Sequence, residues 1–334
     1  MGGLLIAVVI ALAFDFTNGF HDSANAIAAL VATRAARPAQ AVVLASVFTV
    51  LGPVLAGTAV ADTVGGIVTL PHAQVVAVVG AGLTGALLWN LATWWRGLPA
   101  SSSHALVGGL VGAALVQGGI HGVRWGGIVD RRPVGVFGVV ISLAVSPLLG
   151  FSAGWLGTRL ASMPARRARS RVERQVRRGE WVTASALAFS HGSNDAQKTM
   201  GVVTLLLVAS GHLAVFAVPL WVKLASGAAI TIGTSVGGWR IVRTLGSGIY
   251  RINALDGFVS QGGSATVILG AAAIGGPVST THVVASSIVG VGAAQRRRHV
   301  RWAVVSEIGA AWLITLPSSA VAAAIVLPFW MWLA

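Results

Sequence analysis

Apolar stretches of about 20 residues, each long enough to cross a hydrocarbon core, follow one another along almost the whole of this 334-residue chain. A helix satisfies its own backbone hydrogen bonds in lipid, so the pattern predicts an all-α polytopic membrane protein. Only 10% of the residues are charged, against about 25% in soluble domains, whose water-facing surface needs them. The 43 glycines suit helices that pack closely or break within a bilayer. Expected spans are 3–31, 40–60, 73–96, 101–119, 133–158, 182–210, 213–236, 258–274, 278–294 and 302–331. The start, Met1-Gly2-Gly3-Leu4, lacks the basic stretch of a signal peptide and runs on into a polar motif, so it reads as the first span. The absence of cysteine excludes disulfides and thiolate-held metals. Nothing in the sequence calls for a cofactor or a permanent metal site.

The formal net charge of +14 would suggest nucleic acid in a soluble protein. Here lysine and arginine gather in short connections, which is the positive-inside pattern of a cell-membrane protein and not a nucleic-acid surface. The segment 159–181 carries Arg159, Arg166, Arg167, Arg169, Arg171, Arg174, Arg177 and Arg178. It reads as an extended cytoplasmic connection between a first repeat, 1–158, and a second, 182–334. Other basic loops hold Arg34 and Arg37, then Arg240, Arg243 and Arg251, then Arg296, Arg297, Arg298 and Arg301. With all four loops inside, 17 of the 23 basic residues are cytoplasmic and both termini lie outside. The loop 120–132, with Arg124, Arg131 and Arg132, then falls outside, against the rule.

Two polar motifs recur in the same order. Gly19-Phe20-His21-Asp22 aligns with Gly192-Ser193-Asn194-Asp195, 173 residues on. Pro99-Ala100-Ser101-Ser102-Ser103-His104 aligns with Pro277-Val278-Ser279-Thr280-Thr281-His282 at an offset of 178, and Trp125 with Trp302 at 177. Each half contains an odd number of crossings, whether the Pro-Ser segment spans or re-enters. The halves are therefore expected to be inverted relative to each other, with broken helices and hairpin-like Pro-Ser/Thr-His loops, an architecture of many secondary transporters.

Only nine acidic residues occur in the chain, and Asp15, Asp22, Asp195 and Glu307 sit in apolar segments. A charge at bilayer depth costs at least about 2.5 kcal/mol, so such residues mark an ion or substrate path unless they reach water near a helix end. Asp22 and Asp195 have the stronger claim, because the duplication makes them equivalent. Gly19 and Gly192 beside them are expected to allow an unwound turn whose carbonyls, with the carboxylate, take Na⁺, or the carboxylate takes a proton. Asn25 and Lys198 follow their aspartates by three residues, on the same helix face. Lys198 suits either an ion pair with Asp195 or an anion, and the two roles are compatible.

The paired loops have a different chemistry. Serine or threonine just before an apolar helical run is an N-cap, and helix N-termini offer free N–H groups and partial positive charge to an oxyanion. Ser101, Ser102, Ser103, Ser279, Thr280 and Thr281, with Asn25, Asn194 and Lys198, are the expected substrate ligands. The plainer alternative is that the hydroxyls bond back to their own helix carbonyls. His104 and His282 are accessory candidates, as neutral hydrogen-bonding groups or as titrating ones. Hydrogen phosphate can donate a hydrogen bond to a carboxylate, whereas sulfate at neutral pH cannot. Hydroxyls and helix N-termini combined with two aspartates therefore favour phosphate, accompanied by a cation.

These strings resemble the inorganic phosphate transporter (PiT) family, above all its bacterial low-affinity Pit type. The resemblance rests on Asn18-Gly19-Phe20-His21-Asp22-Ser23-Ala24-Asn25-Ala26, Thr33-Arg34-Ala35 and Ser190-His191-Gly192-Ser193-Asn194-Asp195-Ala196-Gln197-Lys198, and on both hairpin strings. It implies an inverted-repeat fold, phosphate held by the hairpin hydroxyls, and a coupling cation at Asp22 and Asp195. It also implies oligomers and a PhoU-like accessory protein. His21 stands where many members, including sodium-coupled ones, have Asn. That feature is shared with the Pit type and implies H⁺ coupling, with a neutral divalent metal–phosphate complex as the carried species. Na⁺ coupling and other oxyanions, sulfate or arsenate, are the near alternatives. A passive anion channel is disfavoured by the repeat and the acidic residues. An intramembrane aspartyl protease would also need two facing aspartates, but not the duplicated Pro-Ser-His loop.

Overall fold

The computed structural model describes residues 2–129, 132, 133, 135–165 and 169–334. Arg131 of the outer loop, and Arg166 and Arg167 of the basic connection, lie outside these residues. The elements are α1 (Gly2–Ala32), α2 (Pro38–Leu55), α3 (Ala59–Gly65), α4 (His72–Arg96), α5 (Ser102–Gly118), α6 (Gly135–Ala165), α7 (Arg169–Ala209), α8 (Leu220–Val236), α9 (Trp239–Arg243), α10 (Ala254–Ala273), α11 (Thr280–Arg296) and α12 (Trp302–Leu333). Two two-residue strands, Ile128–Val129 and Arg132–Pro133, pair antiparallel before α6. Among the described residues, six helices are long and apolar enough to cross a membrane: α1, α2, α4, α5 with the turn after it, α6 and α12.

Several boundaries differ from the sequence expectation. The basic connection is not an extended loop: α6 continues to Ala165, and α7 already begins at Arg169. Arginine is a good helix former, and between 169 and 181 no proline interrupts the run. The unwound turns expected at Gly19 and Gly192 are absent, since α1 and α7 run through them without a break. These glycines serve close approach instead. A Cβ on Gly19 would collide with the Ile230 carbonyl of α8, and one on Gly192 with the Thr49 carbonyl of α2. The breaks lie at the hairpins. Gly97 (φ 68) ends α4 before α5, and Gly275 (φ 77), 178 residues on, follows the end of α10 before α11. A left-handed residue just past a helix is the usual way to stop it, and only glycine takes that conformation without strain.

Helix contacts come in exchangeable pairs. α1 packs on α8 as α7 packs on α2; α1 on α4 as α7 on α10; α4 on α5 as α10 on α11. The last helix of each half crosses over, α6 lying against α11 and α10, and α12 against α5 and α4. The halves are interlocked, and neither packs its hairpin without a helix from the other. Trp125 donates to the Ile120 carbonyl (2.8 Å) and Trp302 to the Arg297 carbonyl (3.2 Å), each five residues back. The two ends of the chain meet, with Gly3 packed against Leu333 and Ala334.

Candidate functional site

Four buried polar segments converge inside the bundle: the middles of α1 and α7, and the first turns of α5 and α11. The first turns are held by the caps that their sequences predict. The Ser101 hydroxyl accepts the His104 N–H (3.1 Å), and the Ser279 hydroxyl accepts the His282 N–H (3.2 Å). Each cap satisfies one of the four orphan N–H donors that begin a helix. Two of the six hydroxyls therefore serve as N-caps of their own helices, accepting from backbone N–H groups rather than donating to carbonyls. The other four reach away. Ser102 points at Asp22 Oδ2 (3.4 Å), and Thr281 donates to Asp22 Oδ1 (2.9 Å). Thr280 lies 2.8 Å from Asp195 Oδ2 and 3.4 Å from Asp22 Oδ2, so one hydroxyl links the two carboxylates. Ser103 approaches the Val278 carbonyl (3.4 Å) and accepts from Lys198 (2.5 Å).

Asp22 and Asp195 are 1% and 0% exposed, so each must be paired within the protein. On α1, the His21 Nδ1 lies 2.7 Å from Asp22 Oδ1, and its Nε2 faces the Thr93 hydroxyl at 3.4 Å. On α7, Lys198 makes a close ion pair with Asp195 Oδ1, and His191 Nδ1 lies 2.8 Å from Oδ2. That imidazole contact is a close approach without the alignment of a hydrogen bond. With both imidazoles neutral, two carboxylates face one ammonium, and the cluster carries a net negative charge. One ligand atom each from Asp22, His191 and Asp195 lies within 4.8 Å of the others, a spacing that could hold a metal ion.

The remaining expected residues are placed unevenly. Asn25 donates to the Thr281 hydroxyl (3.2 Å), and its Oδ1 is buried without a partner. Asn194 donates to the Gly276 carbonyl (3.3 Å), with its Oδ1 likewise unpaired. Asp15 is buried and accepts from Thr199 (2.6 Å), one residue past Lys198. His104 and His282 stand together, ring centroids 4.6 Å apart, and His282 stacks on Trp312 at 3.8 Å. They make no hydrogen bond to either aspartate. Glu307 is exposed on α12 and takes no part in the cluster. The residue that sequence reasoning left out of the site is His191. It precedes Asp195 by four positions, which on a helix places both on one face.

The architecture is that of a polytopic, predominantly helical membrane carrier with a charged, hydroxyl-lined centre. The family model described as the phosphate transporter family matches twice, over residues 18–164 and 159–323. A probable low-affinity inorganic phosphate transporter of Rhizobium meliloti (strain 1021) is 41% identical, over 96% of this chain and 95% of that one. One so named from Bacillus subtilis (strain 168) is 38% identical, over 96% and 95%. A solved structure titled "The sodium-dependent phosphate transporter" superposes with a TM-score of 0.87 at 26% identity, covering 98% of this chain and 99% of that one. The chain belongs to the phosphate transporter family. It is a membrane transporter, not an enzyme, and phosphate is its substrate.

Proposed function

We propose that the protein imports phosphate by symport with H⁺, between inverted halves, with its basic loops cytoplasmic and both termini outside. The observation that carries the reading is the Thr280 bridge between two buried carboxylates, at the meeting of two capped helix N-termini. A dianion entering there meets free N–H groups, hydroxyls and one ammonium, but also a net negative cluster. Binding is favourable only after a cation has joined the carboxylates, and that requirement is the physical basis of coupling. Asp22 with His21 is the proton-accepting pair, because a carboxylate 2.7 Å from an imidazole nitrogen can share one proton between them. Ser102, Ser103, Thr280 and Thr281 hold phosphate oxygens, and a phosphate O–H donates to a carboxylate, which sulfate cannot do.

The name of the solved relative supports Na⁺ as the second reading. The Asp22–His191–Asp195 spacing supports a divalent ion carried with the phosphate. Labelled phosphate uptake into proteoliposomes, with pH and Na⁺ gradients imposed separately, decides among these. Uptake driven by the pH gradient alone is expected. Indifference to both gradients would sink the symport reading, and a strict Mg²⁺ requirement would establish the metal complex.

A further inference from the structure

The two aspartates differ in how their negative charge is met, and the repeat makes the difference legible. At the offset of 173, Asp22 matches Asp195 and Asn25 matches Lys198; at 178, Thr281 matches Ser103. In both halves the residue three after the aspartate reaches the equivalent hydroxyl of the opposite hairpin, Asn25 to Thr281 and Lys198 to Ser103. The Lys198 ammonium has three N–H donors, and its three partners are Asp195 Oδ1, Ser103 Oγ and the Val278 carbonyl (3.0 Å). That shell of carboxylate, hydroxyl and carbonyl oxygens is the all-oxygen kind of donor set that hard cations take, Na⁺ among them. In the first half the same place is bounded by Asp22, Thr281 and Asn25. There the side chain at the lysine position offers an oxygen: Asn25 Oδ1, on a residue 2% exposed, has no hydrogen-bond partner. A buried amide oxygen without a donor is costly, and a cation held by Asp22 would satisfy it.

We propose that Lys198 is a tethered cation. Its ammonium fills, in the second half, the oxygen-lined position that in the first half takes a mobile cation at Asp22, Asn25 and Thr281. The protein then needs one external monovalent cation fewer per phosphate than a carrier with Asn at both positions. This rests on the phosphate-symport reading above.

The test is Lys198→Asn in the full chain, reconstituted into proteoliposomes. Phosphate uptake is measured against Na⁺ at fixed pH, with the membrane potential clamped and choline replacing Na⁺. Lys198→Asn is expected to gain a saturable Na⁺ dependence, its cation order one higher than wild type, while Lys198→Arg keeps the wild-type order. A raised KM for phosphate with unchanged cation order would overturn the proposal and make Lys198 a phosphate ligand only. If Lys198→Asn is not recovered as a monodisperse protein, Lys198→Gln carries the test: it should gain the same saturable Na⁺ dependence, and uptake with the wild-type response to Na⁺ refutes the idea. Equilibrium binding of radioactive Na⁺ to the purified chains separates this inference from the one beneath it. Lys198→Asn should bind one more Na⁺ than wild type even if neither moves phosphate, whereas equal binding overturns the tethered cation. Wild-type vesicles that take up no phosphate would refute the transport reading alone.

Discussion

Asp22 and Asp195 sit at matching places on matching helices, yet their company differs. The first is met by an imidazole from the preceding residue and by the Thr281 hydroxyl, on which the neutral Asn25 amide in turn rests; the second by a lysine one turn on and an imidazole one turn back. The histidine–asparagine order is itself reversed. Asn18 and His21 precede Asp22 at the positions where His191 and Asn194 precede Asp195. The scaffold that presents the two carboxylates is nonetheless shared: a glycine against a carbonyl, a capped hairpin helix, a left-handed glycine before it. Backbone packing and caps set the fold, and they tolerate any polar side chain that finds a partner. The chemistry of the centre can therefore diverge between halves without disturbing the frame.

The largest expected effect breaks that comparison. Asp22→Asn and Asp195→Asn should each abolish gradient-driven phosphate uptake, but only the second strands a buried ammonium. Removing one partner of a buried pair costs about 3–5 kcal/mol, so Asp195→Asn should melt well below Asp22→Asn in detergent. Equal melting temperatures would show that Lys198 is not held by that carboxylate. The frame should respond alike in both halves. Gly19→Ala and Gly192→Ala each push a methyl group into a neighbouring helix carbonyl, and overpacking costs about 1–3 kcal/mol. Both should lower the melting temperature and the yield of folded protein to a similar degree; one silent substitution would remove that close approach from the account.

Thr280→Val sharpens the comparison at its centre by cutting the hydroxyl link between the two carboxylates. A lost hydrogen bond that leaves a buried acceptor costs about 1–3 kcal/mol, and each 1.4 kcal/mol of binding is about tenfold. The expected readout is a KM for phosphate raised by about tenfold, with a modest fall in melting temperature. An unchanged KM would exclude Thr280 from the phosphate site. The smallest effects belong to the caps. Ser101→Ala and Ser279→Ala should each cost about 1 kcal/mol, seen as matched, modest drops in melting temperature. Glu307→Gln, exposed on α12, should leave uptake unchanged and serves as the control.

Much of this centre is legible in the chain. The duplicated aspartates and the serine caps of α5 and α11 are local signals, read from residues a few positions apart, whereas the glycine stops before them emerge with the fold. The helical reach of α7 into the basic connection is also local, but charge patterning points to a loop where arginine's helix propensity prevails. The role of Gly19 and Gly192 was harder to read. Glycine permits an unwound turn as readily as a tight helix crossing, and only the partner helix decides between them.

The sequence by itself determined that this chain lives in a membrane, carries its polar motifs twice in the same order, and places two carboxylates and two hydroxyl-rich helix starts at matching offsets. Hydropathy, repeat offset and capping chemistry are written within short windows of the chain. Tertiary structure decided what each of those groups faces: that Thr280 joins both aspartates, that Lys198 reaches Ser103, that His191 belongs to the cluster, and that α6 and α12 lock across the halves. Apart from His191, which shares a helix face with Asp195, these contacts join residues about 80 or more positions apart. They exist only once interlocked helices have fixed the angles between four separate segments, and no local pattern specifies those angles.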